Sequence, residues 1–356
     1  DRVRTARKQA CKKWTLTALQ MKFPVTANRP AGADLMRAAE RFPNLVTAMV
    51  FAALVVLPFI VSVTLASQIA IFATGALSVA LLLGAVGLLS FGQGLYLGVG
   101  AYVCGILARD AGMGLVPALL MASLSGAALA GFLGSVMVRR HGVYFVMLTL
   151  AFAQMGYFAV LAFKGVTGGE NGLTGLPRQF DLLGLSIADP LSMYGFMAGA
   201  FFLVFLLVQR IIASPFGSVL AAIRENEPRS EALGYPVARY KTVAVALAGA
   251  IAGFAGGLHV IFLGFVPPSD VELEMSQRLL VIALIGGVGS PAGALVGSAF
   301  YMIVSEALSE IWPRWLALIA LLLIGLVLFL PGGLWSAGHR ITALFERIGN
   351  RNAAHD

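Results

Sequence analysis

From Leu45 almost to Leu330 the chain is a succession of apolar stretches about 20 residues long, the length a helix needs to cross a hydrocarbon core of roughly 30 Å. The period-2 alternation of a membrane barrel is missing, and backbone groups in lipid need internal hydrogen bonds, so these stretches are predicted to be helices. They fall near 45–66, 69–89, 91–108, 114–138, 143–163, 191–209, 242–263, 278–289, 291–309 and 315–331. The third, eighth and tenth are short. At Gly286-Gly287-Val288-Gly289-Ser290-Pro291 the eighth reads either as half a helix beside a pathway or as the approach to a tight turn, so eight to ten crossings are expected. The predicted fold class is therefore all-α and polytopic, with a transmembrane domain over 45–335 between a tail at 1–44 and another at 336–356.

Composition agrees with that pattern: 59% of residues are hydrophobic and 12% charged, against roughly 25% charged in a soluble domain. Small-residue pairs such as Gly94/Gly98 and Gly293/Gly297 suit close helix packing. The net charge of +8 matters through its placement. The tail at 1–44, the Arg139-Arg140 turn, the 210–241 loop and the C-terminus hold 20 of the 25 basic residues, which places both termini and that loop in the cytoplasm. The basic tail is expected to be disordered or to lie on anionic lipid, and no nucleic acid partner is read from it. It contains no apolar signal segment. Loops at 164–190 and 264–277 are assigned to the opposite face. Residues 92–101 and 289–298 share a small-residue rhythm, either a half-repeat or a chance likeness of glycine-rich helices.

Catalytic chemistry is hard to find. There is no Gly-x-x-x-x-Gly-Lys-Ser/Thr loop and no Gly-x-Ser-x-Gly elbow, and the four histidines and two cysteines have no metal-ligand spacing. No catalytic or metal-binding residue and no resident cofactor is expected. The acids inside a proposed span, Glu306 and Glu310, lie near its outer end and read as interfacial carboxylates, which argues against ion-coupled transport.

The charged segment between Ser214 and Lys241 is different. Ser214 suits an N-cap with Pro215 at the first helical position, and Phe216, Val219, Leu220 and Ile223 recur at helical spacing. The helix is predicted to end at Glu227, ahead of Pro228, with a second short unit from Ser230 to Leu233 that stops at Gly234. So short a helix needs a surface to pack on, either a protein partner or the lipid.

Several blocks carry a resemblance. They are Gly87-Leu88-Leu89-Ser90-Phe91-Gly92-Gln93 with Gly98-Val99-Gly100-Ala101-Tyr102, and His141-Gly142-Val143-Tyr144-Phe145 with Leu148-Thr149-Leu150-Ala151-Phe152-Ala153-Gln154. Thr167-Gly168-Gly169-Glu170-Asn171-Gly172-Leu173-Thr174-Gly175, the Ser214–Lys241 loop and Gly286-Gly287-Val288-Gly289-Ser290 continue it. In this order the chain resembles the LivM family of branched-chain amino acid permeases, membrane subunits of ATP-binding-cassette importers of the bacterial inner membrane. The resemblance implies an importer permease fold of the LivHM type and no enzymatic activity of the chain's own. It also implies partners: cytoplasmic ATPase subunits that bind ATP and Mg, a second homologous permease and a periplasmic binding protein that delivers the solute. Phe216, Ile223, Arg224, Glu225, Asn226, Glu227, Glu231 and Gly234 become candidates for coupling to the ATPase. Glu231-Ala232-Leu233-Gly234 departs from the family's Glu-Ala-Ala…Gly signature at Leu233. Ser90, Gln93, Tyr144, Thr149 and Gln154 are candidates for the substrate path, each of which has a helix-to-helix hydrogen bond as its plainer role. The implied solute is a branched-chain or other hydrophobic amino acid, although urea and short-chain amide permeases share several of these blocks. A stand-alone secondary transporter or channel is the rival class, and it would need its energy source or gate within this chain.

Overall fold

The computed structural model describes residues 43–140, 142–176, 181–182, 185–186, 189–311, 315–329 and 332–335, so both tails lie outside the described residues. All ten apolar stretches are helical. They form α1 (Pro43–Ile60), α2 (Val63–Val79), which continues as a π-helical turn over Ala80–Val86, α3 (Gln93–Asp110), α4 (Leu115–Met137) and α5 (Val143–Ala162). The short α6 (Lys164–Thr167) and a two-strand pairing of β1 (Asp181–Leu182) with β2 (Leu185–Ser186) follow. Next come α7 (Pro190–Ala213), α8 (Pro215–Glu225), α9 (Glu227–Ala232) and α10 (Val237–Leu263), then α11 (Leu273–Gly286), α12 (Pro291–Ile311) and α13 (Trp315–Phe329). Six are long and apolar enough to cross a membrane: Val63–Val86, α4, α5, α7, α10 and Pro291–Glu310 of α12. Leu45–Ile60 and Leu316–Gly325 are shorter apolar helices. The structure moves the boundary between the first two spans to Val61-Ser62, where the Ser62 hydroxyl accepts from the Leu65 amide and caps α2.

The centre is the Val63–Val86 span, 94% buried, with α10, 72% buried, beside it. The closest packing joins α10 to α3 and α4. It depends on absent side chains: a methyl on Gly100 or Gly126 would collide with the α10 backbone at Gly253 or Gly249, and one on Gly256 with the Leu97 carbonyl of α3. In lipid there is no hydrophobic drive between helices, so such backbone approach supplies the cohesion through dispersion contacts. By contrast α5 is only 22% buried, with Tyr144, Met147, Met155 and Phe158 exposed along it.

Two helices, α3 and α11, begin inside the bundle. Gly75 of α2 packs on Leu279 of α11, and Ser78 of α2 reaches Gln93, the first residue of α3. Ser78 stands 15 residues past Val63 and 8 before Val86. At about 1.5 Å per residue that is roughly 22 Å and 12 Å from the two ends of the span. After Val86 the chain therefore turns back for six residues before α3 begins, deep inside the bundle. The α11 helix starts at the same level, since its Ser276 meets Gly94 of α3. It then runs to Gly286, and Gly287 (φ 104) turns the chain into α12 against Gly332 and Gly333.

Candidate translocation site and coupling surface

The first break, Gly87 to Gly92, begins at the end of the π turn, where Gly87 adopts a left-handed conformation (φ 77) that other residues rarely take. An interior break must satisfy its backbone amides locally. Here hydroxyls perform that role: Phe91 N–H donates to Thr149 Oγ1 of α5 at 3.2 Å, Gly92 N–H to Ser90 Oγ at 3.1 Å and Gly94 N–H to Ser276 Oγ at 2.8 Å. Gln93 is 1% exposed; its Oε1 lies 3.1 Å from Ser78 Oγ, while its Nε2 is buried without a partner. Of the five residues predicted for the path, the structure thus brings Ser90, Gln93 and Thr149 together. Tyr144, 72% exposed, and Gln154, half-buried, lie elsewhere on α5 and do not join that cluster. From Leu95 outward, a groove of about 380 Å³ lined by Val99, Leu129, Phe152, Gly156 and Phe163 runs between α3, α4 and α5 toward Thr167.

Further along α3, at the level of Tyr102, lies a polar group that sequence reasoning missed. Asp270, on the turn Pro268–Asp270 before α11, is 1% exposed and pairs with His259 Nδ1 of α10 at 2.9 Å. The His259 ring meets Phe72 edge-on at 5.5 Å, and the Arg278 guanidinium lies 5.7 Å from the same Phe72 ring. Tyr102 of α3 is also buried there, its hydroxyl without a partner. Its turn-forming neighbours place Asp270 in the external loop 264–277; the one sequence hint is His259, a polar residue inside an otherwise apolar span. Glu306 and Glu310 do occupy an edge position, lining a shallow pocket with Ser62 and Leu65.

The Ser214–Lys241 segment forms two short helices ahead of α10, with one correction. The first ends at Glu225, and Asn226 takes an extended conformation whose Oδ1 accepts from Arg229 N–H at 3.0 Å, so the second begins at Glu227. Pro228 therefore sits in the first turn of α9, where a missing N–H costs nothing, and does not end the preceding helix. Ser214 caps α8, its hydroxyl accepting from Gly217 N–H at 3.4 Å. Phe216 stacks on Tyr240 at 5.6 Å, Ile223 is 2% exposed against the bundle, and Glu227 pairs with the buried Lys241. The Arg224 guanidinium donates to the Gly84 carbonyl in the π turn, and its stem packs over Gly87. Glu225, Asn226, Glu231 and Gly234 are exposed. Phe216, Ile223 and Glu227 therefore hold the unit to the bundle, Arg224 joins it to the break, and the exposed face belongs to Glu225, Asn226, Arg229, Glu231 and Leu233, the last 70% exposed. The sequence gives no pairing for Lys241; a lysine opening an apolar span is the available signal, while Leu233, where the family signature is broken, proves to be exposed.

A polytopic helical bundle with an interior break, and an exposed helical pair tied to that break, has the architecture of a membrane permease. Residues 61–330 match the family described as branched-chain amino acid transport system / permease component, and the chain belongs to that family. It is 28% identical over 303 residues to the high-affinity branched-chain amino acid transport system permease protein LivM of Salmonella typhimurium, covering 78% of this chain and 71% of that protein. The LivM protein of Escherichia coli K12 matches over the same shares at the same identity. The autoinducer 2 import system permease protein LsrC of Enterobacter sp. strain 638 is also 28% identical, over 80% of this chain and 85% of its own length. No solved structure matches.

Proposed function

We propose that this chain is one of two permease subunits of an ATP-driven importer for branched-chain or other hydrophobic amino acids, set in a bacterial inner membrane with both termini cytoplasmic. A periplasmic binding protein delivers the solute, a related permease supplies the other half of the path, and cytoplasmic ATPase subunits bind ATP with Mg. The observation that carries this reading is the continuity from exposed surface to interior: α8 and α9 offer a charged face outward, while Arg224 grips the π turn that leads into the Ser90–Gln93 break. The ATPase shifts the permease only through its differential affinity for two conformations, so a docking unit must be attached to whatever differs between them. The groove from Leu95 to Phe163 suits an aliphatic side chain.

The test is co-purification of the chain with ATPase, partner permease and binding protein, followed by uptake into proteoliposomes of radiolabelled leucine and, separately, urea. Leucine uptake that requires ATP and the binding protein is the expected result. Uptake by this chain alone, or of urea in preference to leucine, would overturn it.

A further inference from the structure

The uncovered face of α11 is polar at a depth where a membrane is not. Glu274 and Gln277 are exposed and Arg278, Val281 and Leu284 half-buried, whereas Met275, Ser276, Leu279 and Leu280 between them are buried. The spacing of the first five puts them on one stripe, turned away from the faces through which Ser276 meets Gly94 of α3 and Leu279 meets Gly75 of α2. Glu274 and Arg278 stand two residues either side of Ser276, so about 3 Å along the axis from the level at which α3 begins. The Arg278 guanidinium marks a similar depth independently. It lies 5.7 Å from the ring of Phe72, which is nine residues, or roughly 13 Å, inside the Val63 end of its span. Among the described residues neither Glu274 nor Arg278 has an ion pair or a hydrogen bond, and Asp270 is engaged by His259. An acid in the first turn suits the helix dipole, which accounts for Glu274 alone and not for Gln277 and Arg278 beside it. Charged groups so deep are costly against lipid and face protein or a water-filled route.

We propose that this stripe of α11 is a zwitterion-binding wall of the solute route, in which Arg278 takes the carboxylate of a passing α-amino acid and Glu274, one turn away, takes its ammonium. Gln277 lies between them and hydrogen-bonds to the bound solute. The match is one of charge and spacing. Side chains four apart on a helix start about 6 Å from each other, so one small solute reaches both and its two charges are neutralised together. The inference rests on the importer reading and deepens it, because a wall with both signs favours a solute that carries both over a neutral one such as urea.

The complete transporter in proteoliposomes, with ATP and saturating leucine-loaded binding protein, is assayed for leucine uptake as wild type, Arg278→Gln and Arg278→Lys. Removing the counter-charge should lower the maximal rate about 10-fold or more, while the lysine variant, which keeps it, should stay within about 3-fold of the wild type. Equal uptake by Arg278→Gln and wild type, or an equal fall in both variants, would overturn the wall and leave the importer intact. Loss of the partner permease from the purified Arg278→Gln complex would also overturn it, by assigning Arg278 to an ion pair between proteins. A wild type that carries no leucine would overturn both. Should Arg278→Gln not be recovered from membranes, Gln277→Cys in a Cys11→Ser chain decides the matter, since Cys104 is buried. Modification of Cys at that position by a small charged methanethiosulfonate, slowed while leucine is being transported, is the expected result. No modification, or modification indifferent to leucine, rejects the proposal.

Discussion

The chain is interrupted twice inside its bundle, and the two interruptions are built from opposite materials. At Gly87–Gly92 the amides reach hydroxyls contributed by three segments, and a glutamine amide is left over. At Gly287–Ser290 the backbone closes on itself, with Gly287 N–H donating to Ala283 O at 3.0 Å and Gly293 N–H to Ser290 O at 3.0 Å. Added methyls on Gly286 and Gly293 would strike each other's backbone. The second break is closed by its own backbone, and the first by side-chain hydroxyls, two of them from other helices. Both breaks interrupt a run of helix, and they differ in the kind of partner the freed amides find.

Breaking that contrast should have graded effects. Gly286→Val forces a side chain into the Gly293 backbone and should cost about 3 kcal/mol or more, seen as a lower unfolding temperature of the purified protein and poor recovery from membranes. The equivalent loss at the polar break is functional. Arg224→Ala removes the link to the Gly84 carbonyl, and solute-stimulated ATP hydrolysis should fall roughly 10-fold, about 1.4 kcal/mol of coupling, while the protein still inserts and assembles. Unchanged stimulation would show that α8 transmits nothing through the π turn. Two serines then give the sharpest comparison. Ser90→Ala strands the Gly92 amide and should cost about 1 kcal/mol in thermal stability together with a severalfold change in uptake. Ser290→Ala, at the matching place in the other break, removes a side chain for which no hydrogen bond is seen and should stay within about 0.5 kcal/mol with uptake unaltered. Equal effects of the two serine variants would dissolve the distinction.

The sequence made the joint at 286–291 legible, and at the first break it showed Ser90 and Gln93 between two spans but not the chain's return into the bundle. Gly286-Gly287-Val288-Gly289-Ser290-Pro291 announces a break because glycine and proline are concentrated in it. Gly87-Leu88-Leu89-Ser90-Phe91-Gly92 is apolar enough to pass for the end of one span and the start of the next, and hydropathy has no term for a chain that doubles back. The half-repeat rhythm at 92–101 and 289–298 nevertheless fell on the helices that follow the two breaks, α3 and α12. The amphipathic pattern of Phe216, Leu220 and Ile223 fixed the buried face of α8, since burial follows helical spacing. The direction of Arg224 was not readable, because its partner is a backbone carbonyl 140 residues away that any sequence would present. Asp270 was missed for a different reason: its counterpart, His259, is a side chain only 11 residues back, but the intervening turn formers read as a solvent-facing loop.

Ala80–Val86 is wound wider than the helix it continues, so this stretch stores a little surplus chain just where Arg224 takes hold. A tug on such a coil is absorbed by rewinding, and each residue that passes to ordinary pitch turns everything downstream by the difference between the two windings, roughly 15–20°. The winding of this stretch therefore lies directly between the Arg224 contact and Ser90. Shortening the stretch by one residue would use up the slack in advance and leave the permease locked in a single posture.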